Sequence, residues 1–399
     1  MLLELFLAII IGVLIGTLTG LSPGIHINLV AAFLLSSLFL LNTINPIFLV
    51  IFIISMSITH TFVDFIPSIF LGAPNEDSSL SVLPGHRMLL KGYGYKAVIL
   101  TLYGSLAGIL ITLIFTPLFI KFLPKIYENI KLAIPFILIL SSLFLIFTEK
   151  HKSKAFFIFI LAGILGIVSL NLNLKDPLLP LFTGLFGASN LIISIKNKII
   201  IPRQRIIPLK KIKLSKYSLL RTNLAAFISS PLCCFLPGLG SSQAAVIGSS
   251  VAGNLNKSEF LYLIGAINTI VMALSFVTLY VINKSRTGAA LAVSKLLQIS
   301  SNDLILILIA IIFSGILAFF ISIAIAKIFS RIIYKINYSI ISLAVLFILL
   351  IFTIIFSGFI GLIVFITSTF LGILCALLKI KRIHLMGCLI IPTIIFYLI

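Results

Sequence analysis

Apolar runs of membrane-spanning length fill this chain, and short polar breaks divide them. From Met1 to about Leu41 the pattern predicts two short apolar helices joined at Ser22-Pro23-Gly24. A long apolar segment from Ile47 to about Leu71 carries Thr59, His60 and Asp64, which are unusual at that depth. Next come the polar break Gly72–Ser79, a short segment 80–90 and a basic turn 91–96. Further apolar segments are expected near 97–120, 132–148, 155–172 and 177–195. Beyond residue 221 the order repeats. A broken pair covers 222–253, a long helix 259–282, a polar break 283–288 and a short helix 289–298. Segments near 303–326, 338–356, 359–378 and 384–398 follow.

The two halves break in matching places. Ser22-Pro23-Gly24 and Leu236-Pro237-Gly238-Leu239-Gly240-Ser241 each end one apolar run and start another. Proline removes a backbone donor and glycine tolerates unusual dihedrals, so each pair interrupts a helix. In hydrocarbon such an interruption survives only inside protein or beside a water-filled cavity. A single break reads most plainly as a kink or tight turn. Two in corresponding positions point to a transporter binding site.

Charge orients the pattern. Residues 196–221 carry nine basic side chains and no acidic one, which places this linker in the cytoplasm. Counting outward from it puts the turns at 86–96, 149–154, 327–335 and 379–382 inside. The turns at 173–177, 300–303 and 357–358 fall outside, as does 121–131 despite three lysines. Equivalent turns in the two halves take opposite sides, the mark of inverted-topology repeats. The expected fold is an all-α polytopic membrane protein with membrane repeat 1 at 1–195, the linker at 196–221 and inverted repeat 2 at 222–399. Each repeat holds a Pro-Gly-broken pair, either re-entrant or spanning, and a second polar break. Both termini are expected outside. Met1–Phe6 lacks a basic stretch and a cleavage site, so it reads as a retained membrane segment.

Composition agrees: 61% of residues are hydrophobic, 10% are charged, and mean hydropathy is +1.30. The net charge of +20 lies in short loops between apolar runs, which suits membrane orientation and not nucleic-acid binding. Cys233, Cys234, Cys375 and Cys388 lie in apolar runs without metal-ligand spacing and read as small buried hydrophobes.

The chemistry concentrates at the breaks. A helix that starts after each Pro-Gly presents unpaired N–H groups and the positive end of its dipole, which bind anions. The expected substrate-binding residues are Ser22, Pro23, Gly24 and Asn28 at the first break, and Pro237, Gly238, Gly240, Ser241, Ser242 and Gln243 at the second. Asn75 and Ser78 join them from one polar break, Arg286 and Thr287 from the other. Asp64 and Asp77 are the expected coupling-ion residues. Asp77 and Arg286 also read as an ion pair, and both polar breaks also read as solvated interface. His60 and Asp64 are four apart on one helical face. They read as a proton relay or as a structural hydrogen bond; His26 reads as structural. An intramembrane enzyme using His60 and Asp64 is a rival reading. It lacks a second intramembrane Asp, a metal motif and a serine-nucleophile motif, so no enzyme is expected. A non-transporting scaffold subunit is the other rival.

These residues resemble the large permease subunit of tripartite tricarboxylate transporters, closest to its archaeal branch. The likeness rests on the paired breaks, on Leu71-Gly72-Ala73-Pro74-Asn75-Glu76-Asp77 followed by Pro84-Gly85-His86-Arg87, and on Arg286-Thr287-Gly288-Ala289-Ala290. Typical members carry Gly-Asp-Ala-type residues at Asn75-Glu76-Asp77, and Gly-Pro-Ser where this chain has Ser241-Ser242. The resemblance implies secondary transport of a small carboxylate, driven by a Na⁺ or H⁺ gradient. No cofactor is expected beyond that ion. The resemblance also implies a small membrane subunit and an extracytoplasmic binding protein as partners. The lipid bilayer of the cell membrane is the expected location, and a homodimer is left open.

Overall fold

The structure is a computed structural model that describes residues 2–22, 45–72, 78–197, 200–234, 240–285 and 287–398. Those residues are helical between short turns. Among the described residues, eight helices are long and apolar enough to cross a membrane. In chain order the elements are α1 (Leu2–Leu21), α2 (Pro46–Phe70), α3 (Val82–Leu89), α4 (Gly94–Phe147), α5 (Lys152–Asn171) and α6 (Leu178–Lys196). After the linker come α7 (Lys216–Cys234), α8 (Ser241–Ala252), α9 (Lys257–Ile282), α10 (Gly288–Leu296), α11 (Ser301–Ile332), α12 (Tyr338–Leu377) and α13 (Arg382–Leu398).

Local chemistry sets the helix ends. Pro46 opens α2 while the Asn45 side chain accepts from the Ile47 N–H at 3.1 Å. Asn256 and Glu259 cap α9 reciprocally: Asn256 Oδ1 accepts from the Ser258 and Glu259 N–H groups, and Glu259 Oε2 accepts from the Asn256 N–H. Asn283, at φ 52°, ends α9 in the left-handed region.

Two expected turns differ in form. The backbone stays helical through 121–131, so the segments expected at 97–120 and 132–148 are one element, α4. Pro117, Pro124 and Pro135 lie inside it. The Ser357-Gly358 turn is a single non-helical residue inside α12, Gly358 at φ 67°.

The most buried spans are α9, α2 and α6. Their apolar windows are 94%, 78% and 78% buried, against 22% for α12. α4 and α9 form the most extensive pairing. Small residues permit it: a methyl group at Gly104 would collide with the Tyr262 carbonyl, and one at Gly265 with the Thr101 carbonyl. Gly12, Gly16 and Gly20 form an equivalent stripe on α1, against the α2 backbone and the side chains of Ser55, Thr59 and Val63.

Side-chain bonds tie turns together at each end of the bundle. Gln204 of the linker accepts from the Gly94 N–H at 2.8 Å and donates to the Leu89 carbonyl at 3.1 Å. The linker therefore straps the α3–α4 turn. Glu149, beyond α4, reaches Lys381 and His384 at 3.5 Å each. Ser357 donates to the Asp176 carbonyl at 2.6 Å. Each contact joins turns that the charge count puts on the same side.

Candidate functional site

The second Pro-Gly break has a definite geometry on its C-terminal side. α7 begins beside the α8–α9 turn: Arg221 Nη2 donates to the Asn254 carbonyl at 3.2 Å and meets Glu259 Oε2 at 2.9 Å. Ser218 Oγ donates to Glu259 Oε1 at 2.5 Å. So α7 starts, and α8 finishes, at the same end of α9, as in a re-entrant hairpin. α8 has 12 residues, about 18 Å of rise, well short of the ~30 Å hydrocarbon layer. Its first residue meets α9 at depth: Ser241 Oγ donates to Asn268 Oδ1 at 3.2 Å. Asn268 lies about 17 Å along α9 from Lys257, near the middle of the layer.

Asn268 also donates from Nδ2 to Asp64 Oδ2 at 3.4 Å. The three side chains are almost fully buried: Ser241 at 3%, Asn268 at 1% and Asp64 at 3% exposure. They link the start of α8 through α9 to α2, so residues before and after the linker meet on one acid. Asp64 stands at a break within α2, between the helical runs Pro46–Val63 and Phe65–Phe70. Around this centre Thr61 Oγ1 lies 3.3 Å from Thr269 Oγ1, and Ser79 Oγ lies 3.3 Å from Ser242 Oγ. Ser68 Oγ donates to Ser78 Oγ at 2.7 Å. His60 Nδ1, one turn before Asp64, lies 3.1 Å from Thr19 Oγ1 of α1.

Ser78, Ser241, Ser242 and Asp64 therefore belong to one buried polar seam. Gln243 caps α8: its Oε1 accepts from the Gly240 N–H at 2.8 Å and holds the start of the helix. Thr287 caps α10 by accepting from the Ala290 N–H at 3.1 Å, and lies 3.2 Å from Ser275. Ser275 is two turns beyond Asn268, about 10 Å along α9. Ser22 stands at the end of α1 and donates to the Leu18 carbonyl at 2.9 Å. Pro23, Gly24, Asn28, Asn75, Asp77, Pro237, Gly238 and Arg286 lie outside the described residues.

Sequence reasoning missed Asn268. Its signal was there: an amide in the middle of a 26-residue apolar helix, followed by Thr269. It also missed Ser68, Thr61 and Ser79. Among the described residues no three His, Cys, Asp or Glu side chains gather to hold a metal. Cys375 and Cys388 are buried thiols outside any disulfide. In α3, burial pushes the His86 imidazole down to about 4, and the Arg382 guanidinium adds to this. The ring stands 5.6 Å from that of Tyr338.

The fold and the seam define a multi-pass membrane protein with a short helix whose first residue joins, through Asn268, a buried carboxylate. The family model for the tripartite tricarboxylate transporter TctA family matches residues 6–387. The chain belongs to that family, a permease component of a transporter. It is 32% identical over 393 residues, covering 95% of each chain, to an uncharacterized protein of Methanocaldococcus jannaschii. No solved structure matches it.

Proposed function

We propose that the protein is a secondary active transporter that moves a small carboxylate across the cell membrane, coupled to a Na⁺ or H⁺ gradient. One observation carries the reading: the N-terminus of a half-spanning helix and a buried carboxylate share one asparagine at mid-bilayer. Before either ligand binds, an ionised Asp64 would sit against the positive end of α8. A cation or proton on Asp64 cancels that charge and leaves the α8 N–H groups to a substrate carboxylate. Each ligand therefore favours the other, which is the basis of symport. Ser241, Ser242 and Asn268 give the side-chain donors.

Alternating access would come from one repeat moving against its inverted counterpart. A small membrane subunit and an extracytoplasmic binding protein are the partners this family's name and the resemblance suggest. In this reading the linker lies in the cytoplasm. A cysteine at Lys210 should react with a membrane-impermeant reagent only from the inside of sealed vesicles, and one at Lys175 only from the outside. The reverse labelling overturns this orientation.

Uptake of radiolabelled mono-, di- and tricarboxylates by proteoliposomes, under an imposed Na⁺ or H⁺ gradient, tests the transport reading. Accumulation with one gradient supports it. Absence of uptake with every gradient and substrate favours a scaffold subunit. Ser242→Ala should raise the substrate constant about 10- to 150-fold, the worth of a hydrogen bond to a charged group. An unchanged constant places the substrate away from α8.

A further inference from the structure

A second polar region lies at the other end of α8, apart from the seam. There a cavity of about 300 Å³ opens between α3, the end of α4, the α8–α9 turn and the start of α13. Four basic side chains line it: Arg87, Lys257, Lys381 and Arg382. Among the described residues no acidic side chain does. Glu149 offsets Lys381, at 3.5 Å. Arg87 and Lys257 have no carboxylate partner among the described residues.

Arg382 is the telling member. It is 5% exposed, and its Nη1 donates to the Phe186 carbonyl at 2.9 Å and to Ser189 Oγ at 3.0 Å. Those bonds fix the head group against α6 and leave Nε buried with no hydrogen-bond partner. A buried guanidinium on the wall of a cavity with three further basic side chains, only one of them offset by a carboxylate, is costly unless an anion balances the charge. Asn254 and Asn256 also line the cavity and supply neutral polar groups, and Leu80, next to Ser79 of the seam, lines its wall too. The volume is at the lower end of small-ligand pockets, ~300–1,000 Å³.

We propose that this cleft is a second anion site, which holds a small molecule with two or more carboxylate or phosphate charges at the basic end of the bundle. Arg87 and Lys257 neutralise its charge, and Arg382, held against α6, adds a fixed positive charge to the wall. On α8 the cleft begins at Ser249, about 12 Å along the helix from Ser241, so occupancy of one site does not exclude the other. That the natural ligand is a carboxylate rests on the transport reading above; the site itself does not. A lipid phosphate carries the same chemistry, and the test separates the two sources.

The test is calorimetric titration of the purified full chain with citrate and with inorganic phosphate, in neutral detergent and in nanodiscs of zwitterionic or anionic lipid. The wild type should show two citrate-binding events. Arg87→Gln with Lys257→Gln should weaken one of them about tenfold or more and remove most of its salt dependence. The charge-keeping pair Arg87→Lys with Lys257→Arg should restore it and serves as the folding control. Asn268→Ala should weaken only the other event. Loss of the cleft event in anionic nanodiscs alone assigns the anion to lipid and still supports the site. Citrate binding and salt dependence unchanged by the double Gln variant overturn the site, even if Asn268→Ala still weakens binding. The opposite pattern, with Asn268→Ala silent, keeps the cleft and removes the mid-bilayer site.

Discussion

The Asp64→Asn protein is expected to fold and to bind substrate, but to lose gradient-driven accumulation. Asn is close to Asp in shape, and its side-chain oxygen still accepts from Asn268, so the link between α2 and α9 survives. What disappears is the carboxylate of the seam, the group that can take up Na⁺ or a proton as an acid. A buried carboxylate at mid-bilayer is expensive in its charged form, and its cost depends on the bound cation. Removing the charge leaves the start of α8 with its N–H groups permanently available, so substrate affinity becomes independent of Na⁺ or pH. Exchange of labelled for unlabelled substrate should persist, while accumulation against a gradient falls to background. Asp64→Ala is expected to be worse, because it also leaves Asn268 Nδ2 without this acceptor, a loss of about 1–3 kcal/mol. Retained accumulation in a folded Asp64→Asn protein would place the coupling ion elsewhere.

Parts of this site are legible in the sequence and parts are not. His60 and Asp64 announce themselves, since ionisable side chains in a long apolar run need a reason. Ser241 and Ser242 are legible through the Pro-Gly break before them. Asn268 stands out as a lone amide in an apolar helix, but its partners are not legible, because a single amide has no pattern to which a partner can be assigned. Only the packing of α9 against α8 and α2 brings it between Ser241 and Asp64. The same limit explains Gln243 and Thr287. Both stand where a ligand donor is expected, yet both sit at positions where a helix start needs a cap, and the backbone bond is made.

The fold divides in the same way. Segment order and lengths follow from hydropathy, because the bilayer sets the length of each run. The α4 backbone does not. The lysines at 121–131 suggest a loop, but prolines bend a helix without ending it when its neighbours accommodate the freed carbonyls. Parity of charge leaves the second broken pair undecided between crossing and returning. Arg221 decides it, since an ion pair to Glu259 brings the start of α7 to the start of α9. No pattern of hydropathy carries that information.

The largest structural effect is expected at Gly104. Replacement by Leu should prevent accumulation of folded protein, and replacement by Ala should lower the melting temperature measurably. The nearest atoms to Gly104 across the α4–α9 crossing are backbone: its Cβ would meet the Tyr262 carbonyl, with the Ala266 nitrogen at 2.8 Å. Backbone cannot swing aside as a side chain does, so the helices must separate. Gly108 and Gly265 pack the same crossing from the two sides, and Ser105 Oγ donates to the Gly265 carbonyl at 3.2 Å. Separation at one glycine therefore loosens the others. Over-packing in ordinary cores costs about 1–3 kcal/mol, and a collision with rigid backbone belongs at the upper end or above. The effect should reach the site as well. Asn268 follows Gly265 by less than one turn, so a shifted α9 lengthens its bonds to Ser241 and Asp64, which are already 3.2 and 3.4 Å. Gly104→Ala should thus raise the substrate constant, although it touches no seam residue. Ile114→Ala, on the lipid-facing side of the same helix at 67% exposure, should change neither quantity. Wild-type melting and uptake in Gly104→Leu would mean that α4 and α9 do not meet at this distance in the membrane.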